Sequence, residues 1–227
     1  MFESESIRLR EILLGQKSGV SPLLNLGSSD ARFRAETKPH IEAELFAPLR
    51  AAGIALVHSD LMESEGIDVA GDILDPRIRA RLGAMGFRAL LISNVLEHVG
   101  DRAAVAAACE EIVGPGGLIL ATVPNSFPYH ADPLDTGYRP TPAALAACFA
   151  SSNPLLLETV EDGTYADRIR RSGASVAGEL IRTILWTLLF PLRPKSARAR
   201  LDRWRWYRKP YRVSIALVRV RAPSSAS

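Results

Sequence analysis

The sequence predicts an α/β protein with an open, doubly wound sheet whose two faces are covered by helices. Five short and almost continuous apolar runs support this prediction, at residues 21–27, 53–60, 66–73, 87–95 and 116–124. Such runs are typical of parallel strands that are buried on both faces. Helical patterns separate several of them, which favours right-handed crossovers between parallel strands. A chain of 227 residues, 47% of them apolar and 23% charged, is long enough for one such domain and is unlike a disordered or fibrous protein.

The remaining elements follow from local signals. Residues 1–13 begin with acids and lack an uninterrupted apolar core, which predicts a short amphipathic helix and not a secretory signal. Pro39 and Gly53 are placed to begin and end a helix over 39–53, and Asp101 is a candidate N-cap for a helix in 101–117. Residues 141–152 predict another helix, 154–162 another strand, and 211–222 a final strand that is antiparallel at or near one edge. We expect one domain over 1–222 and a disordered tail over 223–227.

Charge divides the chain into an acidic part and a basic part. Residues 1–167 hold 13 Lys and Arg against 23 Asp and Glu, whereas residues 168–227 hold 15 against 2. This asymmetry points to a partner for the basic part.

The two cysteines, Cys109 and Cys148, fall in Ala-rich helical patterns without CxxC spacing, so neither a disulfide scaffold nor a metal site is predicted.

The first strand is followed by a tight turn of small residues. Gly27 and Ser28 would let backbone N–H groups approach a ligand closely, as in nucleotide-binding turns. The dinucleotide fingerprint GxGxxG is absent, because the turn contains a single glycine. The turn therefore favours a nucleoside without phosphates over a pyrophosphate-bearing dinucleotide.

Polar side chains also follow the next three strands. Asp60 could accept hydrogen bonds from both ribose hydroxyls of a nucleoside. Asp72 could accept one from an adenine amino group, with Ile73 as an apolar wall beside the ring. Asn94 ends the fourth strand, and Glu97 and His98 follow it at the edge of the site. Since ligands of doubly wound sheets bind at the carboxyl ends of the strands, one ligand could touch all four ends.

At residues 20–160 the sequence resembles the class I S-adenosylmethionine (SAM)-dependent methyltransferases. The matching stretches are LLNLGSS, VHSDL, AGDI, ISNVLEHV and IVGPGGLILATVPN. The resemblance implies a Rossmann-like sheet of seven strands with an antiparallel last strand, and SAM as the cofactor. The chain departs from the family at Asn25, where an acid is usual, and at Asn94, where many members have Asp. The cofactor-binding residues expected from the resemblance are Asn25, Gly27, Ser28, Asp60, Leu61, Asp72, Ile73, Asn94 and Val95.

Two histidines are candidates for a general base. Methyl transfer requires mainly that donor and acceptor be positioned, but an acceptor hydroxyl benefits from a base, and a histidine titrates near cell pH. His98 and His130 are therefore the candidates; the alternative for His98 is a purely structural role in the turn.

The proline-rich loop 124–142 follows the fifth strand and is expected to select the acceptor. Its candidate contacts are Tyr129, Asp132, Asp135, Tyr138 and Arg139, and the alternative is that Asp135 and Arg139 pair to hold the loop closed.

A basic segment, residues 168–210, is predicted to be a helical insertion before the last strand. Its uncharged centre, 183–192, is too short to cross a bilayer. Large apolar residues flanked by arginines are typical of helices that lie in a membrane interface, so residues 180–212 are candidates for peripheral membrane contact, with Trp204, Trp206 and Tyr211 among the aromatics at headgroup depth. The alternatives are a lid or oligomer contact and, less favoured, a grip on single-stranded nucleic acid.

Together these observations predict a cytoplasmic SAM-dependent methyltransferase, with a contact to the inner face of the membrane as a further expectation. The acceptor is a small molecule, a glycan or a lipid-linked compound, and oxygen is the preferred acceptor atom. One alternative is a catalytically inactive binding or assembly module with the same fold. A nicotinamide-dependent oxidoreductase is disfavoured by the missing glycines and by an acid about thirty, not about twenty, residues beyond the turn.

Overall fold

The computed structural model describes residues 1–16, 19–129, 135–190, 192 and 194–222. Seven strands form one sheet in the order β3-β2-β1-β4-β5-β7-β6. Their bounds are β1 Leu23–Leu26, β2 Leu56–Asp60, β3 Val69–Ala70, β4 Ala89–Ser93, β5 Leu118–Ser126, β6 Ser152–Glu161 and β7 Arg212–Val220. The first five are parallel, and β7 runs antiparallel between β5 and β6. This confirms the predicted Rossmann-like sheet, with β6 and not the last strand at the edge.

Nine α-helices lie in the described part of the chain. They are α1 Glu3–Leu14, α2 Pro39–Ile41, α3 Ala47–Ala51, α4 Pro76–Gly83, α5 Arg102–Val113, α6 Pro142–Ala146, α7 Tyr165–Arg171, α8 Val176–Leu188 and α9 Pro194–Arg203. The predicted helix over 39–53 is α2 and α3 joined by a π-helical turn, Glu42–Phe46. The predicted N-cap is present, since the Asp101 carboxylate accepts a hydrogen bond from the Ala104 N–H.

The helix predicted over 141–152 is shorter than expected. It ends at Ala146, and Ser152 already belongs to β6. The Glu110 carboxylate accepts hydrogen bonds from the Ser151 N–H at 2.8 Å and the Ser152 hydroxyl at 2.7 Å. These bonds fix the chain in the turn that leads into the strand, so the helix cannot continue.

Both faces of the sheet are buried, as the continuous apolar runs require. Leu24, Leu26 and Ile92 belong to one core cluster, and their chain neighbours Leu23 and Leu91 belong to the other. This division follows from the alternation of side chains along a strand. The carboxyl ends of the parallel strands are left as the uncovered edge at which a ligand can bind.

Candidate active site

A cavity of about 690 Å³ lies at the carboxyl ends of β1, β2 and β4. Residues of the turn after β1, the last residue of β2 and the three residues from Ser93 line it together. The residues predicted from the sequence that line it are Asn25, Gly27, Ser28, Asp60, Asn94, Val95 and His98. The topology of the sheet therefore brings seven of the predicted residues to one ligand-sized space.

The turn after β1 requires a glycine at its first position. Gly27 has a φ of +70°, and a Cβ there would lie 2.3 Å from Cγ2 of Val95. Ser29 also has a positive φ, 53°, which costs a non-glycine residue of the order of 1 kcal/mol. Its N–H donates to Asp60 Oδ2 at 2.7 Å, which ties the turn to the end of β2. Strained backbone in such a position is characteristic of ligand sites.

Arg34, which was not predicted as a site residue, stabilises this turn through hydrogen bonds. Its guanidinium donates to the carbonyl oxygens of Ser28, at 3.3 Å, and Ser29, and to that of Gly66 at 2.8 Å. The residue is buried, and this burial lowers the pKa of the guanidinium. No local sequence pattern marks Arg34, because its acceptors are backbone carbonyls, one of them 32 residues away.

Asp60 and Asn25 form the ends of two neighbouring strands. The second carboxylate oxygen of Asp60, Oδ1, accepts from the Leu61 N–H at 2.8 Å. Both oxygens retain acceptor capacity, since a carboxylate has about four acceptor sites. The Asn25 amide lies 3.1 Å from Nδ1 of His58, its partner in the strand pairing. Burial lowers the pKa of His58 to about 4, so the ring is neutral and accepts the bond.

Glu5 of α1 ties the ends of β4 and β5 to the amino-terminal helix. Its buried Oε1 accepts from Ser93 Oγ at 3.1 Å, Asn94 Nδ2 at 2.9 Å and Thr122 Oγ1 at 2.6 Å. Asn94 has a φ of +54°, a conformation that asparagine tolerates better than most residues. Glu5 thereby fixes the orientation of a side chain at the cavity wall. No local sequence pattern indicates this role, since Thr122 is 117 residues from Glu5.

Glu97 and His98 lie side by side at the cavity. The Glu97 carboxyl is fully buried, and neither of its oxygens has a hydrogen-bond partner among the described residues. His98 Nε2 is 3.9 Å from Glu97 Oε1. Burial raises the pKa of Glu97 to about 7, and the Glu5 charge adds to this effect. A buried carboxyl without partners is unusual and is more often found in functional sites than elsewhere.

Other predicted residues lie outside this cavity. Leu61 is 65% exposed, Ile73 is buried in a core cluster, and the Asp72 carboxylate accepts from the Leu74 N–H at 2.9 Å. Asp135 is buried and forms an ion pair with Arg139, the closed-loop alternative.

Of the remaining predicted residues, Tyr138 forms a hydrogen bond between its hydroxyl and Cys148 Sγ at 3.2 Å. Tyr129 lines a second cavity. His130 and Asp132 lie outside the described residues.

The lining of the first cavity suits an adenine nucleoside with a charged amino acid end. The N–H groups of Gly27 and Ser28 already donate to the Ser59 carbonyl oxygen and that of Ser29 to Asp60, so the predicted role of the turn as an N–H donor is not supported. The groups left for a ligand near the turn are acceptors, the Asp60 carboxylate and the Asn94 side-chain oxygen, and a carboxylate there disfavours a phosphate. Lys38 supplies a cation elsewhere in the lining, where a carboxylate could bind. These donors and acceptors fit SAM better than they fit a dinucleotide.

Comparison with solved structures gives the fold. A SAM-dependent methyltransferase from Archaeoglobus fulgidus matches with a TM-score of 0.54 and 16% identity, over 95% of this chain and 92% of that chain. Coclaurine N-methyltransferase bound to N-methylheliamine and SAH (S-adenosylhomocysteine) matches with a TM-score of 0.50 and 13% identity, over 96% and 70%. The [4+2]-cyclase SpnF matches with a TM-score of 0.51 and 14% identity, over 95% and 82%. No family model and no curated protein matches the sequence.

At these identities the similarity concerns the fold alone, and the cyclase among the matches means that the fold does not by itself fix the reaction. The order of the seven strands and the antiparallel β7 agree with the fold of the matched methyltransferases. The chain has the fold of the class I SAM-dependent methyltransferases.

Proposed function

We propose that the protein is a SAM-dependent methyltransferase that acts on a small-molecule, glycan or lipid-linked acceptor, with oxygen as the acceptor atom. The observation that carries this proposal is the convergence of the Gly27 turn, Asp60 and Asn94 on one cavity of about 690 Å³. The matched structures support the same cofactor, since one of them is bound to SAH.

When bound, SAM supplies a methyl group on a positively charged sulfur. The amino acid end of the cofactor would lie beside the Gly27 turn, and Asp60 would bind the ribose hydroxyls. Leu61, Asp72 and Ile73 are proposed for the adenine end, which requires the cofactor to reach beyond the cavity described above. Positioning supplies much of the rate in a displacement of this kind.

A hydroxyl acceptor must lose its proton when the new bond forms. His98 lines the cavity and would take this proton, and His130 is the second candidate. Tyr129, Asp132, Asp135, Tyr138 and Arg139 stay candidates for selecting the acceptor, either directly or, for the Asp135–Arg139 pair, by holding the loop in place.

Titration calorimetry with SAM, SAH and NAD tests the cofactor. We expect SAM and SAH to bind and NAD not to bind. The Asp60→Asn variant is expected to weaken SAH binding at least tenfold, because an amide accepts fewer hydrogen bonds than a carboxylate. Asp202→Asn in α9 is the matched control. Binding of NAD alone would overturn the proposal, and cofactor binding without transfer of labelled methyl to any component of a cell extract would favour the inactive module.

The proposal includes a membrane contact through α8. Leu180, Ile181, Ile184, Leu185 and Leu188 of this helix are between 46% and 72% exposed. At 100° per residue they fall within an arc of about 140°. Glu179 and Thr183, on the opposite side, are buried. Contiguous exposed apolar surface of this kind marks an interaction site.

Charge selects an anionic bilayer as the partner of this surface. The segment from residue 168 to the end has 15 Lys and Arg against 2 Asp and Glu. A second copy of the chain would bring like charges together, which is unfavourable. Single-stranded nucleic acid stacks on aromatic rings, whereas the five exposed residues are aliphatic. No helix among the described residues is long and apolar enough to cross a bilayer, so the contact proposed is a peripheral one.

Vesicle flotation tests this contact. We expect the protein to float with phosphatidylcholine vesicles that contain 30% phosphatidylglycerol and to stay behind with pure phosphatidylcholine vesicles. The Ile184→Gln, Leu188→Gln double variant is expected to lose flotation at least fivefold. Leu155→Gln with Leu157→Gln, on β6, removes two exposed leucines elsewhere and is the control. Equal flotation of both double variants would refute the assignment of α8.

A further inference from the structure

A second cavity, of about 610 Å³, lies between the loop after β5 and the helices α7, α8 and α9. Phe127 and Arg168 line both this cavity and the first one. A molecule bound in the second cavity is therefore adjacent to the place where the strand ends converge. The basic segment thus forms a wall of a space next to the proposed cofactor site, in addition to its exposed apolar face.

The walls of this second cavity combine aromatic rings with arginines. Phe127, Tyr129, Tyr165 and Tyr211 provide the rings. Arg168, Arg182 and Arg203 provide three positive charges, and Glu179 is the one acid among the described residues of the lining. The cavity therefore carries an excess of positive charge next to apolar surface.

The Glu179 carboxylate is already bound by its neighbours. It accepts a hydrogen bond from the Tyr165 hydroxyl at 2.9 Å, and it pairs with Arg182 at 3.2 Å and with Arg200 at 3.4 Å. Since Arg200 is not part of the lining, Glu179 compensates charge from outside the cavity as well as inside. It does not neutralise the other two arginines of the cavity.

Arg168 and Arg203 form no ion pair with any carboxylate among the described residues. The Arg168 guanidinium lies 5.2 Å from the centre of the Tyr211 ring and 5.8 Å from that of Phe2. Arg168 and Arg203 line this cavity together with Tyr211. Burial raises the pKa of the Tyr211 phenol, the charges of Arg168 and Arg203 oppose this rise, and that of Asp162 adds to it. Both arginine side chains are exposed, so an anion can reach their guanidinium groups from solution.

We propose that the second cavity binds a phosphate group of the methyl acceptor through Arg168 and Arg203, with the apolar part of the acceptor against the aromatic walls. Guanidinium groups match phosphate oxygens in geometry and in charge, and aromatic rings cover apolar surface next to them. This inference rests on the proposed function, because it names the class of acceptor. The phosphate could belong to a membrane lipid or lipid-linked compound, or to a soluble phosphate ester.

Titration calorimetry on the full chain with two phosphate probes distinguishes these sources. The probes are dihexanoylphosphatidic acid, which has acyl chains, and inorganic phosphate, which has none. Dihexanoylphosphatidylcholine, whose phosphate is masked by a choline, is the third ligand. The buffer contains 150 mM salt, which screens weak surface attraction. Tighter binding of the phosphatidic acid than of inorganic phosphate supports a lipid source, and equal binding of the two supports a soluble phosphate ester.

Charge-removing variants test the two arginines. We expect Arg203→Gln and Arg168→Gln each to weaken phosphatidic acid binding at least tenfold. Arg205→Gln is the control, because it removes the same charge from the same segment. Arg205 is exposed, as Arg168 and Arg203 are, but it pairs with Asp202 at 3.1 Å and lies outside the cavity lining. The affinity of this variant for phosphatidic acid is expected to stay within twofold of wild type. Equal losses in all three variants, or no saturable binding of either phosphate probe, would overturn the inference.

Titration of wild-type protein with SAH separates this inference from the proposed function. Absence of SAH binding with intact, Arg203-dependent phosphate binding would refute the methyltransferase and leave an anion site. SAH binding without phosphate binding would refute the phosphate site alone.

Discussion

Replacing Glu97 with glutamine is expected to change how the stability of the protein depends on pH. The Glu97 carboxyl is fully buried without hydrogen-bond partners, and burial raises its pKa from the ordinary 4.5 to about 7. The folded protein therefore keeps this proton over a pH range in which the unfolded chain has lost it. The glutamine variant has no proton to lose at this position.

The size and sign of the effect follow from linkage. A difference of roughly 2.5 between the two pKa values corresponds to about 3 kcal/mol, since one pKa unit is about 1.4 kcal/mol. Because the pKa of Glu97 is higher in the folded protein than in the unfolded chain, its contribution to the free energy of unfolding is complete below about pH 4.5. This contribution is lost as the pH rises to about 7 and above. The free energy of unfolding of the variant minus that of the wild type should thus increase by about 3 kcal/mol between pH 4.5 and 8.

Other charges near Glu97 also influence its pKa. Glu5 acts in the same direction as burial, while the Met1 amine and Arg139 oppose it. Burial lowers the pKa of the Met1 amine to about 6, so this group stabilises the fold as the pH rises from about 6 to 8. That opposite trend occurs in both proteins, and the subtraction largely removes it.

Urea unfolding followed by tryptophan fluorescence, at pH 4.5, 6, 7 and 8 and constant ionic strength, measures the difference. Glu63→Gln is the control, since this glutamate is exposed. A difference in free energy of unfolding between variant and wild type that stays constant within about 0.5 kcal/mol over the whole pH range would refute the raised pKa of Glu97, because a buried carboxyl must show this linkage.

Two further substitutions test the architecture of the site. Gly27→Ala should destabilise the protein by about 1–3 kcal/mol and abolish SAH binding, since the new Cβ would clash with Val95. Gly53→Ala is the control in thermal unfolding: Gly53 also has a positive φ, +80°, but no atom lies within 4 Å of a Cβ there, so this variant measures backbone strain without a clash. Equal effects of the two would contradict the clash. Glu5→Ala should cost about 3–5 kcal/mol in urea unfolding, because it leaves buried donors such as Thr122 without their acceptor; a loss below 1 kcal/mol would mean that water replaces the carboxylate.

Local signals in the sequence were enough to predict the sheet. Each of the seven predicted strand segments overlaps a strand. The five parallel strands were recognised because burial on both faces leaves a continuous apolar run that is visible from adjacent residues alone. The same holds for the Gly27 turn and for Asp60, which follow directly from where two strands end. Asp72 and Ile73 are also at a strand end, but the cavity does not extend to them.

The orientation of the basic segment could not be predicted from its composition. Tyr211, expected at headgroup depth, is buried, so that prediction was wrong. The indole N–H groups of Trp204 and Trp206 donate to Thr183 Oγ1 at 3.0 Å and to Ser126 Oγ at 3.1 Å, inside the protein. The periodicity of α8 predicts a helix with an apolar face, but only the bonds that hold its polar side inward determine that this face points outward.

The sequence by itself determined the strands and the residues at their ends, since these depend on neighbours within one turn or one strand. Tertiary structure alone decided that Glu5 ties α1 to β4 and β5, that Arg34 supports the glycine turn and that Arg168 and Arg203 line one cavity with Tyr211. Such contacts join residues far apart in the chain, and their geometry comes from how helices pack on the sheet. No pattern in a short window of sequence contains that information.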